Sequence, residues 1–525
     1  MKFLYQFILC IGVLSLSACK TLGPDFQEPV VDWVGKWVPS IYGELEKKDK
    51  KKESVSTKIK KTTDIEFWWE LFQDPTLNQL IKDGRNNNLS LRIAGLKIFE
   101  SRALLGIANS TLYPQVQQLG GSAAYVNNKS NGKSPTSQSF TSLSSALNVG
   151  WELDFWGRFQ RGIESSDAAF FASINNQKDI QVLLTAQIAN AYFTYRTTEA
   201  RIDIAKQNAK IQKRSFEITT NIFESGEGSE LDVQQAKTQY LATLSTIPEL
   251  EIGLAKTLNA LAVLLARKPG KIKELQSDDV EYKWPIISPK YFQFIPAKML
   301  VRRADIRSAA WLVAAQSAQV GIAEAEYYPA ISLFGTIGWS ATSLSSGSNT
   351  GNFSVGPSFS WNILDYGRIG NNLRVQDSRL QQLIEQYKNT VILAAQEVDN
   401  ASYSLVKTYE KKLLIEESLK ASHRALALAN IRYREGYSDF QRVLDAQLAM
   451  FTQSDRQLTT QGGYITTIID LYKSMGGGWS EMSNEQLISR EVKESMEKRT
   501  DWGELLSHPL PIDPIVTTPE NSLYE

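Results

Sequence analysis

Reactive side chains are scarce in this chain of 525 residues, and the scarcity limits its chemistry. The only thiols are Cys10 and Cys19, and the only imidazoles are His423 and His508. Loss of an N-terminal leader containing Cys10 would leave no intramolecular disulfide. Redox and thiolate-metal chemistry, a His-rich metal centre and a Ser-His-Asp triad therefore lack either their residues or an informative context. No paired carboxylates stand in a recognisable cleft motif, so the chain is expected not to be an enzyme. Cys19 stands apart because of what precedes it. Lys2 gives a positive start and Phe3 to Leu16 an apolar run too short for a stop-transfer helix, and Ser17-Ala18 lead into Cys19. An exported protein with residues 1–18 as its signal peptide is the expectation.

Leu16-Ser17-Ala18-Cys19 resembles the bacterial lipobox. That resemblance implies cleavage just before Cys19 and a covalent N-terminal lipid on its thiol and amine, with no other cofactor. Lys20 in place of an acidic residue implies sorting to the outer membrane rather than retention at the inner one. The charge balance gives no steer toward nucleic acid. Removing residues 1–18 takes one Lys from 57 basic residues against 57 acidic, leaving 56 − 57 = −1.

The elements that must hold such a chain are duplicated. Leu153-Asp154-Phe155-Trp156-Gly157-Arg158 recurs as Ile363-Leu364-Asp365-Tyr366-Gly367-Arg368, with the Gly-Arg pairs 210 positions apart. Phe223-Glu224-Ser225-Gly226 answers Tyr433-Arg434-Glu435-Gly436 at the same offset, whereas Tyr113-Pro114 answers Tyr328-Pro329 at 215. Length is thus fixed after each Gly-Arg and free before it. Ile163 to Phe223 contains neither Pro nor Gly, nor does Asn371 to Glu435, and apolar residues such as Ile180, Leu184 and Ile188 recur at helical spacing. At about 1.5 Å per residue these helices span about 90 Å. Each ends at a Gly-containing turn, Gly226-Glu227-Gly228-Ser229 or Gly436-Tyr437-Ser438-Asp439, before a returning helix (Leu231 to Leu265, Phe440 to Met475). The spacing predicts two long helical hairpins, 163–266 and 368–475.

The variable regions read as strands at about 115–126, 139–154, 331–340 and 353–363. Phe353, Val355, Pro357, Phe359, Trp361 and Ile363 alternate with small or polar residues, as do Leu147, Val149, Trp151 and Leu153. Such strands fit the lipid-out, lumen-in rule of membrane barrels, with the Ser/Asn/Gly-rich stretches 127–138 and 341–352 as external loops. Four strands cannot close a barrel without unpaired edges in lipid, so other copies of the chain must supply the rest. Two copies give a lumen that side chains fill, and three give twelve strands and a wider pore.

The chain resembles the outer-membrane factor (TolC-like) family, in its lipid-anchored OprM/NodT-type branch, over about residues 19–479. The resemblance rests on Phe72-Gln73-Asp74-Pro75-Thr76-Leu77, the two Gly-Arg motifs, Arg302-Arg303-Ala304-Asp305-Ile306, Gly321-Ile322-Ala323-Glu324-Ala325, and Tyr433-Arg434-Glu435-Gly436 running into Val443-Leu444-Asp445-Ala446-Gln447. Ala304 departs from the family's usual Pro. The resemblance implies an α+β membrane protein: a homotrimeric 12-stranded β-barrel continuous with a periplasmic α-helical barrel. It also implies a passive outer-membrane conduit for drugs or other small toxic compounds, working with a periplasmic adaptor protein and an inner-membrane pump of the resistance-nodulation-division type. A type I secretion duct is the alternative within this architecture, and a structural coiled-coil lipoprotein the alternative outside it. The remaining organisation is an N-terminal tether (19–65) whose 44–61 stretch holds eight Lys among 18 residues, a first repeat (66–270), a second (271–479) and a polar tail (480–525).

Asp445 matches the family position where an acidic ring narrows the periplasmic entrance; three copies would favour cations and resist anions. Asp232 and Arg442 are repeat equivalents of opposite charge, and pairing between neighbouring hairpins would latch the tips. Gly226, Gly228, Gly436 and Ser438 shape the tips, Gly by supplying positive φ, and the resemblance makes those tips the adaptor-docking sites.

Overall fold

The computed structural model describes residues 21–31, 65–130, 136–275, 282–287, 300, 302–342 and 349–514. The expected signal peptide, Cys19 and the Lys-rich stretch lie outside the described residues. A 3-10 turn (Ile65–Phe72) leads into α1 (Pro75–Asn87) and α2 (Leu89–Ser110), followed by β1 (Val116–Ser130), β2 (Thr136–Leu153), α3 (Arg158–Glu224) and α4 (Glu230–Leu264). The second half repeats the order with α5 (Ala304–Ala325), β3 (Ala330–Ala341), β4 (Asn349–Ser360), α6 (Arg368–Arg434) and α7 (Phe440–Ser474), then α8 (Asn484–Leu487) and α9 (Arg490–Arg499). The duplication is metrically strict in the helices: α3 and α6 both have 67 residues, and α4 and α7 both have 35.

The motifs mark where elements start. Asp74 caps α1, its carboxylate accepting from Thr76 N at 2.9 Å and Leu77 N at 3.1 Å, and Pro75 occupies a first-turn position that needs no N–H. Asp154 accepts from the first turn of α3 (Phe159 N, Gln160 N) and Asp365 from Gly367 N and Ile369 N at the start of α6. Gly157 (φ 73°) and Gly367 (φ 85°) make the left-handed turn out of the sheet. Helix α3 therefore begins at Arg158, earlier than the expected 163, and passes through Gly162, while α6 begins at Arg368 as expected and passes through Gly370. Ala304 opens α5, with Arg303 as its N-cap.

The largest apolar core lies about midway along α3 and α6, the equator of the protomer, where Trp68 is fully buried and stacks on Tyr472 of α7 with ring centroids 5.4 Å apart. Phe72, Tyr192, Phe193, Leu405 and Ile468 complete its centre. Helix α3 touches α2, α4, α5 and α7, and α6 touches α5 and α7, so the two halves interlock.

The four strands form one antiparallel sheet in the order β1-β2-β3-β4. Its registers, including Leu119↔Leu147, Leu147↔Ile337 and Ile337↔Phe353, put most of the large apolar residues of the four strands on one face, with Val116, Val126, Phe140 and Phe334 on the other. The apolar face is bare in the protomer: Leu119, Tyr125, Phe353 and Phe359 are 72–77% exposed. Strand ends differ from the alternation pattern. β1 and β2 continue to Ser130 and from Thr136, and β4 begins at Asn349, because the ladder uses backbone groups and tolerates Ser, Asn and Gly side chains. At the other end β4 stops at Ser360, opposite Ala330, the first residue of β3; Trp361 to Ile363 have no ladder partner, and Trp361 Nε1 donates instead to Tyr327 O. None of the described helices is long and apolar enough to cross a membrane. Twelve residues of strand extend about 40 Å, which a tilt of about 40° reduces to about the 30 Å of a hydrocarbon core.

The tail beyond Ser480 is built into the fold through residue 514. Buried Arg102 of α2 donates to the carbonyls of Leu505, His508 and Pro509 at 2.7–2.8 Å. The Asp513 side chain is 2% exposed; it lies 2.9 Å from the Arg307 guanidinium and accepts from Asn175 Nδ2 at 2.9 Å.

Candidate functional site

The hairpin tips close identically. Glu227 N donates to Ile222 O and Gly226 N to Phe223 O; 210 residues on, Tyr437 N donates to Arg432 O and Gly436 N to Tyr433 O. These bonds satisfy the last carbonyls of α3 and α6 and require the left-handed residue that Gly226 (φ 80°) and Gly436 (φ 74°) provide. Gly228 is tight for a different reason, since a Cβ there would meet Ile222 Cγ2 and Phe223 N at 3.0 Å. Ser229 caps α4 by accepting from Leu231 N, and half-buried Ser438 precedes Asp439 at the start of α7.

Just inside the tips, Ala236, Phe440, Val443 and Leu444 form a small apolar cluster between α4 and α7. Beyond it the seam turns polar. Gln239 Nε2 donates to Leu444 O, and Gln447 Nε2 to Ser215 Oγ at 2.9 Å, while the buried Gln212 amide finds no protein partner. Arg201 of α3 grips Asp455 of α7 with contacts of 2.6 and 3.2 Å. Between α4 and α7 lies a cleft of about 610 Å³, lined by amides and hydroxyls such as Gln234, Thr238 and Gln441, by Leu448 and Phe451, and by one carboxylate, Asp445. Asp445 is exposed and accepts from Gln441 Nε2 at 2.9 Å.

Asp232 and Arg442 are not brought together within the protomer: no ion pair joins them among the described residues. Asp232 is half-buried beside Tyr433, whose hydroxyl is pushed above its ordinary range by burial first and by this carboxylate second; Arg442 is exposed. Equivalent positions in two repeats thus face different surroundings, so the expected latch is absent between the two hairpins of one chain.

A second charged centre, not anticipated from the sequence, lies at the equator where the halves meet. Arg303 is 8% exposed and binds Asp305 through two contacts (2.8 and 3.0 Å), Glu397 of α6 at 2.9 Å and the Ser474 carbonyl of α7 at 2.7 Å. Asp179 of α3 faces this group without a cation of its own. Burial, then the Asp305 carboxylate, push its pKa up to about 6, with Arg303 and Lys473 opposing and Glu397 adding to the rise. Arg303 sits in the quoted Arg302-Arg303-Ala304-Asp305 motif, which was the available signal; nothing in the pattern around Asp179 gave one.

A third centre holds the N-terminal segment. Leu22 N donates to Trp156 O, Arg161 donates to the carbonyls of Leu22 and Gly23 and pairs with Asp25 at 2.7 Å, and Ser317 Oγ donates to Pro24 O. Gly321 leaves the room, since a Cβ there would lie 2.5 Å from Leu22 O. The segment crosses from the base of the sheet over α5 to α6, where Tyr387 OH donates to Glu28. Among the described residues no three His, Cys, Asp or Glu side chains could hold a metal ion.

The model of the outer membrane efflux protein family matches residues 80–267 and again 295–477, once for each repeat. The probable outer membrane lipoprotein SilC of Salmonella typhimurium is 27% identical over 474 residues, covering 89% of this chain and 98% of its own. Nodulation protein T of Rhizobium leguminosarum bv. viciae is 30% identical over 450 residues, 85% of this chain and 88% of its own. Among solved structures, the outer-membrane channel OprN superposes with a TM-score of 0.76 at 31% identity, covering 88% of this chain and 100% of OprN.

Proposed function

We propose a working mechanism for a chain that belongs to the outer membrane efflux protein family: as the outer-membrane channel of a tripartite efflux system, it is a passive conduit opened and closed at its hairpin tips. The observation that carries this is the pairing of an open four-stranded sheet, apolar on one face, with two hairpins of equal length. Three protomers close twelve strands in the outer membrane and set six hairpins in a tube, since lipid tolerates no unpaired strand edge.

At the tips, Asp445 is exposed beside the cleft between α4 and α7, where three symmetry copies would concentrate negative potential at the mouth. Widening the mouth requires α7 to move against α3 and α4, where the seam around Gln212 and Gln447 is polar. Gly226, Gly228, Gly436 and Ser438 shape the surface offered to a periplasmic adaptor, and a resistance-nodulation-division pump is the energy source we favour. The lipid belongs on Cys19: Leu22, three residues on, is bonded to Trp156 O at the base of the sheet, within reach of the periplasmic leaflet. Loss of labelled palmitate from Cys19→Ser would support that assignment, and retained label would refute it.

Planar-bilayer recording of the mature trimer tests the gate. Small cation-selective openings that enlarge or lose selectivity in Asp445→Ala are expected. Identical conductance and selectivity in the variant would remove Asp445 from the mouth, and no conductance from a folded trimer would refute the conduit itself.

A further inference from the structure

The two repeats place the same arginine in different company. Arg158 and Arg368 are equivalents at the offset of 210, each directly after the glycine that turns the chain out of the sheet. Arg158 meets a strand carboxylate, its Nη2 lying 2.8 Å from both oxygens of Glu152. The position equivalent to Glu152 is Asn362, so the second repeat has no carboxylate there. Arg368 reaches instead to Glu326, which closes α5 where Thr111 closes α2, and the contact is 3.5 Å, longer than a good hydrogen bond. The Arg368 side chain is 62% exposed, and no other ion pair holds it among the described residues. The neighbouring Asp154 and Asp365 carboxylates accept from N–H groups at the starts of α3 and α6, whose positive helix ends offset them. Arg158 is therefore neutralised in a tight pair, and Arg368 keeps most of its donors free.

Both arginines line one cleft of about 280 Å³ at the base of the sheet, together with Glu152, Glu326, Trp156 and Tyr328. The cleft lies against the polar face, because Glu152, Ala330 and Ser360 in its wall alternate with Leu153, Ile331 and Phe359 of the apolar face. With the apolar face toward lipid, the cleft opens into the lumen where barrel and helical tube meet. Part of its wall is aromatic and fixed: the Trp156 and Tyr328 rings stack with centroids 4.6 Å apart and 28° between planes, and Trp156 Nε1 donates to Pro329 O at 2.9 Å. A guanidinium with free donors in the same cleft as stacked rings matches a carboxylate carried on an aromatic body.

We propose that this cleft is a transit site for aromatic carboxylates: the Arg368 guanidinium donates to the carboxylate of the passing compound, the ring lies against Tyr328 and Trp156, and Glu326 competes for the same guanidinium. The inference rests on the conduit reading above and gives that conduit a second charged station, opposite in sign to Asp445 and at the other end of the helices. The long Glu326 contact keeps the hold weak, as a conduit requires of any site that must also release what it binds.

Saturation-transfer NMR on the full mature protein in detergent, with benzoate as the probe, reads the site directly. Benzoate affinity should fall about tenfold in Arg368→Gln, the effect of losing one charge-assisted hydrogen bond, and be largely retained in Arg368→Lys, which keeps the cation. Glu326→Gln should tighten binding by removing the competitor, and Tyr328→Ala should weaken it with the helical CD signal unchanged. Benzamide, the uncharged analogue, should bind wild type and Arg368→Gln alike. Equal benzoate affinity in wild type, Arg368→Gln and Glu326→Gln overturns the site, as does the absence of any benzoate signal from the folded wild type. Bilayer recording separates this failure from that of the conduit. A protein that conducts but does not bind benzoate loses only the transit site, whereas one that binds benzoate in the Arg368-dependent way and passes no current keeps the site and refutes the conduit.

Discussion

Replacing Asp179 by Asn should strengthen the equator at neutral pH and leave it unchanged in acid. The carboxylate is half-buried, faces Asp305 and Glu397, and its pKa is raised from 3.8 to about 6. A group whose folded-state pKa lies above its unfolded one penalises the fold in its charged form. The penalty is absent below about pH 4, grows between about pH 4 and 6, and is complete above. At about 1.4 kcal/mol per pH unit a fully buried group would cost about 3 kcal/mol; allowing for solvent screening of a half-buried one, we expect about 1–2 kcal/mol. Asn keeps the shape and removes the charge. Native-state hydrogen exchange reads the difference locally: amides of α3 around Asp179 and at the start of α5 should be about 5- to 30-fold better protected in Asp179→Asn than in wild type at pH 7.5. Comparing both proteins at each pH cancels the intrinsic exchange rates, and the ratio should fall toward one as the pH drops below about 4. Equal protection at pH 7.5, or a ratio unaffected by acid, would refute the assignment of an uncompensated carboxylate.

Other outcomes follow from single contacts. Ala266 holds a left-handed backbone (φ 54°) at the end of α4 where its repeat equivalent is Gly476 (φ 71°), so exposed Ala266→Gly should raise thermal stability by about 1 kcal/mol. The reverse change, Gly476→Ala, should destabilise, because its Cβ would also meet Arg303 Cγ at 3.0 Å. Asp513→Ala leaves the Arg307 cation buried without its partner, a loss of about 3–5 kcal/mol at that contact; limited proteolysis should then cleave within residues 481–514 well before the helices. Gly321→Val should displace residues 21–25 from α5, read as faster protease cleavage there with an unchanged helical CD signal.

Much of the architecture was legible because it is written in long periods. A breaker-free run of about 60 residues admits few readings other than a helix, and two such runs at one offset identify a duplication. The strands were legible on their lipid face and misjudged at their ends, where backbone pairing carries on through Ser, Asn and Gly tracts and stops at Ser360 for want of a partner rather than for any residue of its own. Asp232 and Arg442 show the limit of the offset argument: it fixes height along the hairpin, not the neighbour a side chain meets. Arg161, Arg303 and Asp513 were out of reach for another reason. Apart from the neighbouring Glu164 and Asp305, their partners lie far along the chain, Arg161 and Asp25 being 136 positions apart, Arg303 and Glu397 94, and Asn175 and Asp513 338, and such contacts leave no periodic trace.

The unbroken length of α3 has a mechanical side. Glu224 lies 45 residues beyond Asp179, so the equatorial charges and the tip sit at the two ends of a rod about 70 Å long. A tilt of about 3° at the equator sweeps the far end through about 3–4 Å, more than the diameter of a water molecule. Small shifts in packing around Arg303 that tilt this rod are thereby geared up to the scale on which a pore wets or dries.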